Sequence, residues 1–233
     1  MAGKLYLVTT PIGNLEDITL RALRILKEVD LIAAEDTRHT RRLLSHFDIH
    51  ARLESFHSFN EHGKAGPLLE KIVRDGISVA LVSDAGTPSV ADPGFLLVRE
   101  ALAAGIEPTV VPGVSALTFA VTASGLPVDR FSFRGFAPVK PGRRGKFFAS
   151  IRESPETVFF FESPYRIART LVEIADAVSP ECRVALIREA TKVHEEVVRG
   201  TAAELNAMKR EWRGEFVVGV HPPEVPEADS VEE

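Results

Sequence analysis

Short apolar runs alternate with amphipathic helical segments in the first half of the chain, and this alternation restricts the fold more than any other feature. Four runs rich in β-branched residues have the length of buried strands: 5–8, 31–34, 77–82 and 107–111. Four segments between and after them carry apolar residues at helical spacing: 18–28, 37–47, 65–74 and 95–104. This strand–helix order predicts a parallel sheet with helices on both faces.

The second half of the chain has a different pattern. Five runs resemble strands: 130–136, 157–161, 183–188, 195–200 and 216–220. About six residues separate 183–188 from 195–200, which favours a hairpin. With a helix at 165–178, the pattern predicts a second α/β domain with a mixed sheet. We place the domains at 1–115 and 116–221, followed by a disordered acidic tail at 222–233 that holds three prolines and five acids.

Composition excludes several classes of protein. The chain has 233 residues, 45% hydrophobic and 26% charged, which is ordinary globular usage and argues against disorder as the main state. A net charge of −5 excludes a uniformly basic surface that coats nucleic acid non-specifically. Cys182 is the single cysteine, so no internal disulfide framework exists, which favours a reducing, cytoplasmic compartment.

The segment 108–128 carries no charge and has almost the length of a membrane span. Pro112, Gly125 and Pro127 interrupt it, and five hydroxyl residues lie inside it. We interpret it as a strand end, a turn and a helix buried on all sides, and predict no contact with a membrane.

Three loops follow predicted strands and are rich in glycine, proline and hydroxyl residues: 9–15, 83–88 and 112–116. Ligands of open α/β sheets bind outside the carboxyl ends of the strands, so these loops are the first candidates for a site. Ser115 stands where a helix begins, and free amides at such a position hold anions. The alternative is that all three are only strand-to-helix turns.

The sequence lacks the motifs of several other common functional sites. No G-x-G-x-x-G, P-loop or G-x-S-x-G motif is present, which argues against dehydrogenases, P-loop enzymes and hydrolases with a nucleophile elbow. Histidines at 39, 46, 50, 57 and 62 match no metal signature, so we predict no metal site.

The loops also carry a resemblance to a known family. The segments 9–17, 34–38, 83–88, 112–113, 160–163, 188–192 and 214–215 together resemble the ribosomal RNA small subunit methyltransferase I family of the tetrapyrrole methylase superfamily. The resemblance implies two α/β domains of tetrapyrrole-methylase type, with S-adenosyl-L-methionine as donor in the interdomain cleft, and a homodimer. The implied substrate is the ribose 2′-hydroxyl of a cytidine in the decoding region of 16S rRNA, within the 30S subunit.

The resemblance also implies which residues bind the methyl donor. They lie in the three loops and in the second domain: Pro11, Ile12, Gly13, Asp84, Gly86, Thr87, Ser115, Ala116, Glu162 and Ala190. For Asp84, capping of its own turn is the alternative. One departure is that Phe59 stands where the family commonly has a second histidine, which leaves His57 with a weak claim to catalysis.

A ribose hydroxyl is a weak nucleophile, so a base or a nearby cation should assist its attack on the methyl group. Glu35, Asp36, Glu189 and Lys192 are the candidates, and we select the last three as catalytic. A helix cap is the alternative role for Asp36. A surface ion pair is the alternative for Glu189 and Lys192.

RNA binding requires local positive charge. Arg38 and Arg42 share a helix face by their spacing. A basic loop after the strand at 130–136 supplies Lys140, Arg143, Arg144 and Lys146 for phosphate contacts. The alternative is a solvated, flexible loop. Phe136 either stacks on a base or belongs to the core.

Two other functions remain open at this stage. One is methylation of a tetrapyrrole or another small molecule within the same superfamily. The other is a non-catalytic ribosome-assembly factor. The basic loop argues against the first and the intact donor loops against the second. DNA is not expected as a partner.

Overall fold

The computed structural model describes residues 3–223, and the chain divides into two compact units, Met1–Ala116 and Leu117–Glu233. We call them the first and second units. Of the predicted acidic tail, residues 224–233 lie outside the described part of the chain.

The first unit contains one five-stranded sheet. Its strands are β1 (Leu5–Val8), β2 (Leu31–Ala34), β3 (Leu53–Ser55), β4 (Val79–Val82) and β5 (Thr109–Val111). They are arranged in the order β3-β2-β4-β1-β5, and every neighbouring pair is parallel. The predicted parallel sheet is therefore confirmed, and the carboxyl ends of β4, β1 and β5 meet at one edge.

Helices cover both faces of this sheet. They are α1 (Leu20–Glu28), α2 (Thr37–His46), α3 (Glu61–Arg74) and α4 (Phe95–Ala103). Alternate residues of each strand point to opposite faces, so Leu81 packs in one core cluster with α3 and α4. Ala80 and Val82 pack in another with α1 and α2. Both clusters exclude water from the strands, which explains their continuous apolar sequence.

The second unit contains a mixed five-stranded sheet. Its strands are β6 (Phe131–Phe136), β7 (Thr157–Glu162), β8 (Arg183–Arg188), β9 (Glu196–Thr201) and β10 (Phe216–His221). Their order is β6-β7-β10-β8-β9; β6 and β7 are parallel and the other pairs antiparallel. The predicted mixed sheet and the β8–β9 pairing are confirmed. The helices α6 (Pro141–Arg152), α7 (Ile167–Ala177) and α8 (Ala202–Ala207) contribute side chains to its core.

The expectation of a loop at 140–146 is wrong, because Lys140 is the N-cap of α6 and 141–146 form its first turns. Two glycines in this stretch lower its helix propensity, but proline suits a first helical turn and Pro141 occupies that position. Burial of Phe148 and Ile151 then outweighs the propensity. Sequence reasoning also missed the short strand β3 and the helix α8, and it placed the start of α3 four residues too late.

The uncharged segment 108–128 forms β5, a turn and the helix α5 (Ala116–Ser124). Among the described residues, no helix is long and apolar enough to cross a membrane. The expectation of burial on all sides is wrong, since only Ala120 and Ser124 of α5 are buried. Arg199 donates to the carbonyl oxygen of Ser124 at 3.0 Å and so caps the end of the helix.

Candidate active site

The three strand-end loops of the first unit lie against one another. Thr10 and Gly86 exchange two backbone hydrogen bonds of 2.9 and 3.1 Å, and the hydroxyls of Thr9 and Thr87 are 3.0 Å apart. On the other side, a Cβ built on Gly113 would come within 2.9 Å of the Thr9 methyl group. The strand order β4-β1-β5 brings the three candidate loops together at one edge of the sheet.

These loops suit a ligand that approaches the backbone closely. Gly86 has φ +79°, a conformation that favours glycine, and Ile12 packs beside it. Gly13 and Gly113 are exposed, so their peptide groups are accessible from solvent. A side chain at Gly113 would fill the space between two loops. The residues present therefore fit a bound S-adenosylmethionine, whose predicted contacts Thr87, Ser115 and Ala116 lie in these same loops.

Three carboxyl groups gather beside the loops. Glu35 follows β2, Asp84 follows β4, and Asp92 lies in the segment before α4. Asp84 Oδ1 accepts from the amide of Asp36 at 2.9 Å and so ties the ends of β4 and β2 together. Burial raises the pKa of Glu35, and the charge of Asp84 adds to this rise against the opposing effect of the Asp84 amide.

Asp92 is the functional candidate that sequence reasoning missed. Burial, followed by the charge of Glu35, raises the pKa of Asp92 to about 6, although a hydrogen bond from Ser83 opposes the rise. Its loop is tightly folded, with positive φ at Ser89 (72°), Ala91 (64°) and Gly94 (134°). The only sequence signal was its position after a buried strand, which many structural aspartates share.

His57 lies next to this cluster and is held by Asn60. The Asn60 side chain accepts from the His57 amide at 2.9 Å, and its Nδ2 lies 3.1 Å from His57 Nε2. His57 Nδ1 is buried and has no hydrogen-bond partner among residues 3–223. Phe59, at the position where the family commonly has histidine, points into solvent with 96% exposure.

Asp36 is the N-cap of α2, as its alternative interpretation stated. Its Oδ1 accepts from the Arg38 amide at 2.8 Å, and Oδ2 pairs with the Arg38 guanidinium at 2.8 Å. Hydrogen bonds from Arg38 hold the pKa of Asp36 well below its usual range. A carboxylate of such low basicity is a poor proton acceptor.

Glu189 and Lys192 belong to the second unit and form an ion pair of 3.0 Å. Lys192 also reaches Glu215 at 2.8 Å, and the Glu215 amide donates to Glu189 Oε1 at 2.8 Å. Although burial opposes the change, the carboxylates raise the pKa of Lys192. Burial favours a higher pKa for Glu189, but the hydrogen bonds from the Glu215 amide and Lys192 outweigh burial and lower it. Both shifts favour the charged forms, which argues against a neutral lysine base.

The structure contradicts the predicted roles of Glu162 in binding the methyl donor and of Arg144 in binding RNA. The Glu162 carboxylate is wholly buried and lies 2.8 Å from the wholly buried Arg144 guanidinium. Arg166 and Thr170 also donate to Glu162, at 2.7 and 2.8 Å, and Arg144 pairs with Glu173 as well. Despite burial, these donors lower the pKa of Glu162. The carboxylate of Glu162 is thus not free to contact S-adenosylmethionine, and the buried guanidinium of Arg144 cannot reach a phosphate of RNA.

The remaining predicted RNA contacts are on the surface. Arg38 is exposed but paired with Asp36. Arg42, Lys140, Arg143 and Lys146 are exposed, and their side chains form no ion pair with another described residue.

Ala190, the other predicted contact of the methyl donor in the second unit, lies in the turn after β8, between two residues of positive φ.

Comparison with known proteins identifies the family. The chain matches the family described as Tetrapyrrole (Corrin/Porphyrin) Methylases over residues 4–206. It is 45% identical to the ribosomal RNA small subunit methyltransferase I of Pseudomonas aeruginosa, over 98% of this chain and 82% of that protein. The protein of the same name from Escherichia coli O157:H7 is 46% identical, over 97% of this chain and 80% of that one. The chain belongs to the ribosomal RNA small subunit methyltransferase I family.

Solved structures share the fold. The methyltransferase CobJ superposes with a TM-score of 0.70 at 20% identity, over 96% of this chain and 97% of that one. Uroporphyrin-III C-methyl transferase from Thermus thermophilus, complexed with S-adenosyl homocysteine, gives a TM-score of 0.65 at 21% identity, over 93% and 97%. The predicted family, the two α/β folds and the methyltransferase class are confirmed, and the small-molecule methylase and assembly-factor alternatives are disfavoured.

Proposed function

We propose that this member of the family transfers a methyl group from S-adenosylmethionine to the ribose 2′-hydroxyl of a cytidine in the decoding region of 16S rRNA. The proposed substrate is the assembled 30S subunit, and the enzyme acts in the cytoplasm as a homodimer. The observation that carries the proposal is the contact of three strand-end loops around Thr9 and Gly86, in a chain closely related to ribosomal RNA methyltransferases.

The proposed donor site uses the small residues and hydroxyls of these loops. Its residues in the first unit are Pro11, Ile12, Gly13, Asp84, Gly86, Thr87, Ser115 and Ala116. Ser115 precedes the first turn of α5, where backbone amides lack helical partners and suit the carboxylate of the donor's amino-acid part. Ala190 is the proposed contact from the second unit, and Glu162 is withdrawn because its carboxylate is already paired.

The bound donor supplies a methyl group activated by a sulfonium. The protein's task is to hold the 2′-oxygen in line with that carbon, about 3 Å away, and to accept the proton of the hydroxyl. Of the carboxyl groups beside the loops, we infer that Asp92 accepts the proton, because a pKa raised to about 6 leaves it ionised but basic near neutral pH. Asp36 is too weak a base, and Lys192, which Glu189 and Glu215 hold charged, is the proposed cation that assists the hydroxyl.

Methyl transfer tests the proposal directly. The protein is incubated with S-adenosylmethionine labelled in the methyl group and, separately, with 30S subunits, protein-free 16S rRNA or a porphyrin precursor. We expect label in 30S subunits, and digestion to nucleosides should place it in 2′-O-methylcytidine. Label only in the porphyrin, in a base, or in no acceptor would overturn the proposal.

The donor site has a separate test by calorimetry. Asp84→Ala removes the acceptor that ties β4 to β2, and we expect it to abolish measurable binding of S-adenosylmethionine. Asp176→Ala, an exposed change on α7, is the control and should leave the affinity unchanged. Equal affinity of Asp84→Ala and wild type would contradict the proposed site.

A further inference from the structure

The segment 130–152 concentrates positive charge in a chain of negative net charge. It contains seven arginines and lysines and no acidic residue, whereas the whole chain carries −5. The buried Arg144 is neutralised by Glu162 and Glu173 and takes no part in this surface. The other cations lie just before β6, on β6, on the segment after it and on α6.

The fold gathers several of these cations on one flank of α6. Arg143, Lys146 and Ser150 share that flank by their spacing of three and four residues. Arg134 on β6 donates to the Ser150 hydroxyl at 2.7 Å, which places its guanidinium on the same flank. With Lys140 at the start of the helix, these side chains form the surface that we call the basic ridge: Arg134, Lys140, Arg143 and Lys146.

Charges on this ridge are available to a ligand. Lys140, Arg143 and Lys146 are exposed, and among residues 3–223 their side chains have no acidic partner. Most other arginines on the surface of the second unit are paired, such as Arg210 with Glu196. Retaining a cluster of unpaired cations raises the electrostatic energy of the folded chain, and an anionic partner relieves that repulsion.

An exposed apolar side chain adjoins the ridge, and an exposed ring lies on the other face of the same sheet. Phe136 ends β6 and is 60% exposed, and Val139, just before Lys140, is 67% exposed. The Phe136 ring is supported by Phe161, with centroids 5.2 Å apart, so it is held in place although one face is open. The alternative that assigned Phe136 to the core is wrong. Phe161 alternates along β7 with Phe160 and Glu162, which face α6 and α7, so the Phe136 ring lies on the sheet face opposite the basic ridge and is not part of it.

We propose that the basic ridge binds a segment of RNA, with its cations on the phosphates. This inference rests on the proposed function and assigns part of its substrate contact to the second unit. A second copy of the chain fits the surface poorly, since two-fold pairing would bring two basic ridges face to face.

Charge is tested by neutral substitutions and the salt dependence of RNA binding. The triple variant Arg134→Gln, Arg143→Gln, Lys146→Gln is compared with wild type for binding of 30S subunits and of an unstructured RNA oligonucleotide. We expect the affinity to fall by about tenfold or more at moderate salt, and the slope of log affinity against log salt to shrink by about 2. Arg152→Gln lies on the opposite flank of α6 and is the matched control.

Unchanged RNA affinity in the triple variant would overturn the inference. So would a change in oligomeric state by sedimentation, without loss of RNA affinity, because it would identify the surface as a contact between copies.

Failure of this inference is distinguishable from failure of the proposed function. If wild type methylates 30S subunits and the triple variant does so with unchanged kcat/KM, only the ridge assignment is wrong. If wild type transfers no methyl group to rRNA, the proposed function is wrong. Donor affinity should be the same in wild type and every ridge variant, which shows that the variants are folded.

Discussion

The Glu61 carboxylate caps the helix that follows Gly94. Its Oε1 accepts from the amides of Gly94 at 3.0 Å, Leu96 at 3.1 Å and Leu97 at 3.4 Å. Gly94 has φ +134° and cannot carry a side chain here, since a Cβ would lie 2.6 Å from the Ser89 hydroxyl. A residue at the start of α3 therefore satisfies the free amides of α4 and fixes the end of the loop that carries Asp92.

Loss of this cap should cost stability. We expect Glu61→Ala to lower the free energy of unfolding by about 1–2 kcal/mol, because amides at the start of α4 lose a charged acceptor. Urea denaturation followed by circular dichroism measures the change. Glu70→Ala, an exposed change on the same helix, should alter stability by less than about 0.5 kcal/mol. Equal effects of the two changes would contradict the capping role.

Asp92 should make stability depend on pH. The fold raises its pKa from an ordinary 3.8 to about 6, so the folded chain binds this proton more tightly than the unfolded chain. The contribution to stability is therefore present at low pH and is lost as pH rises through 6. Allowing for partial exposure, we expect Asp92→Asn to be about 1 kcal/mol more stable than wild type near pH 7.5, and no more stable near pH 4.

Denaturant titrations of wild type and variant at the two pH values test this expectation. Asp176→Asn removes a charge from an exposed position and is the control; it should show no pH-dependent gain. A gain of Asp92→Asn that is the same at both pH values would mean that proton binding is not its cause.

The rate of methyl transfer should depend on the protonation state of Asp92. If Asp92 accepts the hydroxyl proton, single-turnover rates on 30S subunits should fall below a pH of about 6, where the carboxylate becomes protonated. Asp92→Asn should lower the rate by about 10²-fold or more while leaving donor affinity nearly unchanged. A variant that keeps both the rate and the acidic limb of the profile would exclude Asp92 and point to Glu35.

The buried ion pair in the second unit should be sensitive to loss of one partner. Arg144→Met leaves the Glu162 carboxylate buried with fewer donors, and we expect a loss of about 3–5 kcal/mol in unfolding free energy. Arg143→Met, the exposed neighbour, should change stability by less than about 0.5 kcal/mol. Adding Glu162→Gln to Arg144→Met should recover part of the loss. Similar denaturation midpoints for both single variants would contradict the pairing.

Close packing of two loops should matter for the donor. Gly113→Ala places a methyl group 2.9 Å from Thr9, so the loops must separate, and we expect the affinity for S-adenosylmethionine to fall by about tenfold in calorimetry. Gly66→Ala on α3 meets no atom within 4 Å and is the control, with unchanged affinity. Wild-type affinity in Gly113→Ala would show that this contact does not shape the site.

Several roles could be assigned from the sequence only as alternatives. An aspartate at position 36 suits either a helix cap or a catalytic base, so the sequence could not choose between these roles. The hydrogen bonds and ion pair with Arg38 show that Asp36 is the cap. The sequence predicted a basic loop at 140–146, because glycine and proline lower the local helix propensity. Packing of Phe148 and the pairing of Arg144, both distant in sequence from their partners, made it a helix.

The sequence by itself determined every strand except β3, most helices, the parallel and mixed sheets and the family, because apolar periodicity and turn residues are local properties of the chain. Tertiary structure decided which charged groups are available. Glu162 and Arg144 were predicted to contact ligands but are buried partners of each other, whereas burial and then the charges of Glu35 and Asp84 raise the pKa of Asp92. The pKa and accessibility of a side chain depend on neighbours that only folding brings within a few ångströms, so no local pattern encodes them.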